Sequence, residues 1–84
     1  MFKFIITSDN ERGVLTKLCN LFTARSFNIK SLFANLVDEQ KNISTIEITV
    51  DMPQEKVINM REKILQIIPI HEVKIIKEEE VFLL

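Results

Sequence analysis

The stretch Phe27-Asn28-Ile29-Lys30-Ser31-Leu32-Phe33-Ala34-Asn35-Leu36-Val37-Asp38-Glu39-Gln40-Lys41-Asn42-Ile43-Ser44-Thr45-Ile46-Glu47-Ile48-Thr49-Val50 decides the fold. Phe27 to Val37 is extended and rich in β-formers, with Leu32, Ala34 and Leu36 alternating against Ser31, Phe33 and Asn35. Asp38 to Asn42 is polar and short, the composition of a hairpin turn. From Ile43 the period of two returns: Ile46, Ile48 and Val50 point to a core, while Thr45, Glu47 and Thr49 point away.

On each side of this hairpin the sequence pairs a helix with a strand. Upstream, Phe2-Lys3-Phe4-Ile5-Ile6-Thr7 reads as a strand with Phe2, Phe4 and Ile6 on one face, stopped by Ser8-Asp9-Asn10. Val14, Leu15, Leu18, Leu21 and Phe22 then follow at helical spacing, and Asn10 is placed to cap that helix at the N–H of Gly13. Downstream, Asp51 and Gln54 have the spacing of a capping box, with Pro53 suited to the first turn. Val57, Met60, Ile64, Ile67 and Ile68 form the apolar stripe of a second helix that Pro69 ends. Ile70 to Ile76 is a last strand, and residues 78–84 form a charged and apolar tail after a domain over 1–77.

The order β-α-β-β-α-β specifies an α+β fold, the ferredoxin-like plait: a four-stranded antiparallel sheet with both helices on one face. The first and third strands are then central, and the second and fourth are edges. The second strand is long, apolar and unblunted by proline, an edge that invites pairing with another chain.

Composition narrows the function. At 84 residues the chain makes one domain, and one so small buries only roughly 60% of its unfolded surface. Cys19 is the only cysteine, so neither an internal disulfide nor a thiol-rich metal site supports the core. Association with a partner is the remaining support, and a homodimer through the second strand is expected. A net charge of −1 argues against a nucleic-acid module. No apolar run approaches the roughly 20 residues of a membrane span, and Phe2 to Ile6 is too short for a signal peptide. A cytoplasmic protein is the expectation.

Chemistry is sparse. His71, the only histidine, reads as a partly exposed strand residue, and Cys19 as a small residue beside an apolar stripe. Adjacent carboxylates such as Glu78-Glu79-Glu80 cannot all face one ion, so no metal site is expected. The single glycine rules out a glycine-rich phosphate loop, and an acylphosphatase-like use of Arg12, which lacks the accompanying glycines, ranks a distant third among the readings. No catalytic residue and no cofactor are expected. The unusual stretch is Asn10-Glu11-Arg12-Gly13-Val14-Leu15, where that glycine falls in the first turn of a helix. Either the helix packs tightly on the sheet there, or the missing side chain lets an anion such as a carboxylate approach the free N–H groups of the helix start.

Asn10-Glu11-Arg12-Gly13-Val14-Leu15, with Leu21-Phe22-Thr23-Ala24-Arg25-Ser26-Phe27-Asn28-Ile29-Lys30-Ser31-Leu32, resembles an ACT domain, specifically that of the regulatory small subunits of acetolactate synthase. The likeness continues through Ser44-Thr45-Ile46 and covers nearly the whole chain. It implies a non-catalytic regulatory subunit. Such domains pair side by side through the second strand, bind branched-chain amino acids, chiefly valine, at that interface, and inhibit a separate catalytic subunit. Carried over, Asn10, Gly13 and Val14 would line the effector's main-chain pocket, with Leu15 beside its side chain. Asn28 and Ile29 would close the pocket from the neighbouring chain.

Some residues depart from the family. Ser26 replaces a glycine and Thr45 stands where many members carry arginine. Long-form small subunits add a second domain, so a short form, a free-standing paralogue and a fragment of a longer protein all stay open. The alternative function is a free-standing ACT dimer that binds another amino acid or serves as an interaction module.

Overall fold

A computed structural model describes residues 1–78 of the protein. The elements follow the expected order: β1 (Phe2–Asp9), α1 (Val14–Thr23), β2 (Asn28–Asp38), β3 (Ile43–Asp51), α2 (Val57–Leu65) and β4 (Ile70–Lys77). The strands form one antiparallel sheet in the order β2-β3-β1-β4, the ferredoxin-like arrangement. Phe4 lies opposite Ile48 and Ile6 opposite Ile46, so one face of the central strands is apolar up to the buried Ser8–Ser44 pair at its end. Both helices cover that face with Val14, Leu18, Phe22, Val57, Met60 and Ile64. Phe4 and Phe22 meet edge to face, their ring centroids 5.3 Å apart.

The local expectations that fail do so where tertiary pairing outweighs turn or cap propensity. β1 does not stop at Ser8 but runs through Asp9, because Ser8 has partners on both sides in Ser44 and Ile70. Its side chain is completely buried and its hydroxyl donates to the Asp9 carbonyl at 2.8 Å. Asp51 makes no capping box: it ends β3 opposite Asn28, and α2 is entered through a 3-10 turn, Gln54–Lys56, without a side-chain cap. Gln54 instead accepts from Lys77 Nζ at 3.2 Å. α2 ends at Leu65, four residues before Pro69, so Ile67 is only partly buried and Ile68, expected in the stripe, is 95% exposed. Of the tail, Glu78 donates its N–H to the Met1 carbonyl at 2.9 Å and pairs with Lys3 at 3.1 Å, raising the pKa of that ammonium. Residues 79–84 lie outside the described residues.

The end of α1 explains one departure from the family pattern. The Phe27 N–H donates to the Phe22 carbonyl at 3.0 Å and the Ser26 N–H to the Thr23 carbonyl at 2.9 Å. These are the paired bonds of a Schellman close, and Ser26 sits at its left-handed position with φ 60°. A side chain there costs about 1–2 kcal/mol that glycine avoids. Ser26→Gly is therefore expected to stabilise the fold by about 1 kcal/mol, a rise of about 4–8 °C in Tm by calorimetry. An unchanged or lower Tm would contradict this account of the turn.

β2 is an open edge. Leu32, Ala34 and Leu36 stand opposite Ile48, Ile46 and Ser44, on the helix side of the sheet as the alternation requires. The helices do not reach over them, and Leu32, Leu36, Val37 and Phe33 are 39%, 42%, 55% and 62% exposed. Register shifts between Ile29 and Ser31 and between Leu36 and Asp38 mark irregularities near both ends of the strand. The regular stretch between them is Ser31 to Leu36.

Candidate functional site

The segment between β1 and α1 is held from both sides. The Asp9 N–H donates to the Pro69 carbonyl at 2.9 Å, and the Asn10 N–H to the Asn42 carbonyl at 2.8 Å. The two asparagines also bond through side chains: Asn42 Nδ2 donates to the Asn10 carbonyl at 3.2 Å, and Asn10 Nδ2 to Asn42 Oδ1 at 3.4 Å. Asn10 is thus no helix cap. It ties the segment to the β2–β3 turn, where Asn42 takes the left-handed conformation with φ 56°. Across 32 residues of sequence, no local pattern announces that clamp.

Gly13 lies just ahead of α1 rather than in its first turn, with φ 85° and ψ −8°. A Cβ built there meets nothing within 4 Å, which removes tight packing as the reason for the glycine. The left-handed backbone requires it, and the ground before it is open. Among the described residues, the N–H groups of Gly13, Val14, Leu15 and Thr16 have no backbone or side-chain acceptor. The first helical bond runs from the Lys17 N–H to the Gly13 carbonyl at 2.9 Å. Unsatisfied donors at a helix start, with the positive end of its dipole, favour an anion.

These groups border a recess of about 190 Å³ lined by Asp9, Asn10, Glu11, Arg12, Gly13, Val14, Leu15, Ala34, Ser44 and Ile46. Four of the expected site residues, Asn10, Gly13, Val14 and Leu15, come together here. Asn28 and Ile29 do not: they pair with Asp51 and Val50 at the far end of β2. Six residues of strand separate Asn28 from Ala34, about 20 Å at the usual rise. The floor residues Ala34, Ser44 and Ile46 were not singled out from sequence. The signal for them was modest: Ala34 is the smallest member of its alternating row, and Ser44 begins the row of Ile46 and Ile48.

His71 and Cys19 stand apart from the recess. His71 Nε2 lies 2.7 Å from Asp9 Oδ1 at the surface, and Cys19 is half-buried on α1. Thr45 lies in the sheet between Asn35 and Thr7. Ligand binding at the recess is expected to survive His71→Gln and Cys19→Ala, with calorimetric titration as the check. Loss of binding by a folded His71→Gln variant would assign His71 a role in the site. No helix among the described residues is long and apolar enough to cross a membrane, and no three His, Cys, Asp or Glu among them come together as a metal site would require.

Residues 4–72 match the family model described as the AHAS small subunit-like ACT domain. The chain is 35% identical over 75 residues to an acetolactate synthase small subunit of Mycolicibacterium smegmatis, covering 86% of this chain and 41% of that protein. It therefore spans about two-fifths of that relative's length. Among solved structures, it is similar to the acetolactate synthase small subunit of Thermotoga maritima, with a TM-score of 0.76, 24% identity, and coverage of 90% of this chain and 47% of that one. The ACT domain of the GTP pyrophosphokinase of Chlorobium tepidum superposes with a TM-score of 0.73 at 14% identity, over 89% of this chain and 95% of that one. At these identities the structural likenesses establish the fold.

Proposed function

This chain belongs to the AHAS small subunit-like ACT domain family, and on that premise we propose that it is a non-catalytic regulatory domain. It binds a short branched aliphatic amino acid, valine first, and transmits that binding to a separate acetolactate synthase catalytic subunit. The observation that carries the reading is the recess at Gly13, where unsatisfied N–H groups for a carboxylate sit beside the apolar Val14, Leu15, Ala34 and Ile46. The carboxylate accepts from the N–H groups at the start of α1. The branched side chain turns to the apolar floor.

The recess of about 190 Å³ is smaller than the roughly 300–1,000 Å³ usual for organic ligands, as suits half of a shared site. A homodimer supplies the other half. If the Ser31–Leu36 stretch pairs antiparallel with its copy, the start of each β2 falls beside the end of the other. That end adjoins the Gly13 recess, since Ala34 and Ser44 line it and Leu36 lies opposite Ser44. Asn28 and Ile29, about 20 Å away within one chain, then reach the partner's recess. There the Asn28 amide holds the ligand's polar end and Ile29 covers its side chain.

Calorimetric titration with valine, leucine and isoleucine tests the effector. All three are expected to bind, with modest discrimination, since one methylene is worth about 1–3 kcal/mol. Binding of none would remove the effector reading and favour a free-standing interaction module. Co-purification with an acetolactate synthase catalytic subunit tests the partner.

A further inference from the structure

We propose a second ligand site on this chain, for a small organic anion with an apolar or aromatic body. A cleft of about 300 Å³ lies at the other end of α1 from Gly13, lined by Arg25, Phe27, Lys56, Asn59 and Met60. The volume reaches the roughly 300 Å³ at which organic ligands are commonly enclosed. The lining holds two cations, one amide and two apolar side chains, and no carboxylate. In a chain of net charge −1, such a wall is locally positive.

The turn at Ser26 builds this arrangement. Because Ser26 takes the left-handed conformation, Arg25 and Phe27 on either side of it both reach the same cleft. Arg25 is anchored, its Nη1 donating to the Leu21 carbonyl at 3.0 Å, which leaves other donors of its fork. Phe27 packs partly buried against the core and offers a fixed apolar surface. Lys56 and Asn59 approach from the start of α2, and Met60 forms the buried back. Among the described residues, neither Arg25 nor Lys56 has a carboxylate within ion-pair distance. Fork-like donors beside an apolar wall suit a carboxylate or phosphate carried on a ring or short hydrocarbon.

The proposal does not draw on the Gly13 reading. Amide NMR of the intact protein tests it with phenyl phosphate and 3-phenylpropionate, whose relative affinities identify the head group. Saturable shifts are expected at Arg25, Phe27 and Asn59 with the Gly13 resonance unmoved. Inorganic phosphate and benzyl alcohol, each keeping one half of the chemistry, should bind about tenfold more weakly or worse. Arg25→Gln and Lys56→Gln, both at exposed positions, should each weaken phenyl phosphate about fivefold in a still-folded protein. The absence of saturable shifts, inorganic phosphate or benzyl alcohol binding as tightly as the aryl anions, or unchanged affinity in both variants would overturn the proposal. Valine shifting Gly13 without moving Lys56, Asn59 and Met60 bears only on the effector reading, so the two readings fail separately.

Discussion

Gly13→Asp is expected to abolish valine binding while leaving the protein folded. The left-handed backbone at this position tolerates aspartate and asparagine better than other side chains, and nothing stands where the Cβ would go. Folding is therefore spared the larger cost that alanine or a branched residue would bring. Binding is not. The new side chain enters the open ground before Val14, and its negative charge lies beside the donors meant for the effector's carboxylate. At about 4 Å and an effective dielectric near 20, repulsion between the charges amounts to about 4 kcal/mol, a loss of roughly a thousandfold. Gly13→Asn separates the contributions: it keeps the bulk and the backbone preference without the charge, so it should bind weakly but measurably. Calorimetric titration of both variants, with circular dichroism as the folding control, decides the matter. A Gly13→Asp protein that binds valine like the wild type would remove the carboxylate from the start of α1.

The second large effect concerns the edge. Sedimentation at micromolar concentration should find the wild type dimeric and the Leu32→Glu, Leu36→Glu double variant largely monomeric. Both leucines lie within the regular part of β2, with about two-fifths of each side exposed in the single chain. Burying a leucine is worth about 1.5–3 kcal/mol in full. Two-fifths of that, at both positions in both chains, amounts to about 2–5 kcal/mol before like-charge repulsion is added. Dimer affinity should thus fall by at least roughly fiftyfold. The variant should also lose valine binding, because Asn28 and Ile29 would no longer reach a neighbour's recess. A wild type that sediments as a folded monomer would contradict the shared site.

The sequence was most legible where period and packing agree. The alternation of Phe2, Phe4 and Ile6 and of Ile46, Ile48 and Val50 located the core face of both central strands, and each of these residues is buried. Val14, Leu18 and Phe22 did the same for α1, although Leu15 in that stripe is 41% exposed and borders the recess instead. Helix ends were harder to read. Asn10 and Asp51 have good capping chemistry, but the sheet and the β2–β3 turn take them for other bonds. The single glycine marks the rim of a recess, for a reason the sequence could not disclose, because a left-handed residue just ahead of a helix and a glycine inside its first turn look alike in one letter. Asn28 and Ile29 enter the proposed site only through family resemblance, since no spacing within one chain brings them to Gly13.

The two edges of the sheet differ in a way that bears on how far assembly can go. β2 offers an apolar stretch bounded by register shifts, while β4 carries His71, Glu72, Lys74 and Lys77 with Glu78 just beyond it. If β2 pairs with its copy about a two-fold axis, as proposed, both apolar edges are consumed and the outer strands are the charged ones. Charged, lysine-bearing edges resist further strand addition. Growth would then stop at a closed pair instead of continuing into a ribbon, and a small chain with an exposed sheet edge would stay clear of the fibrous aggregation that such edges otherwise template.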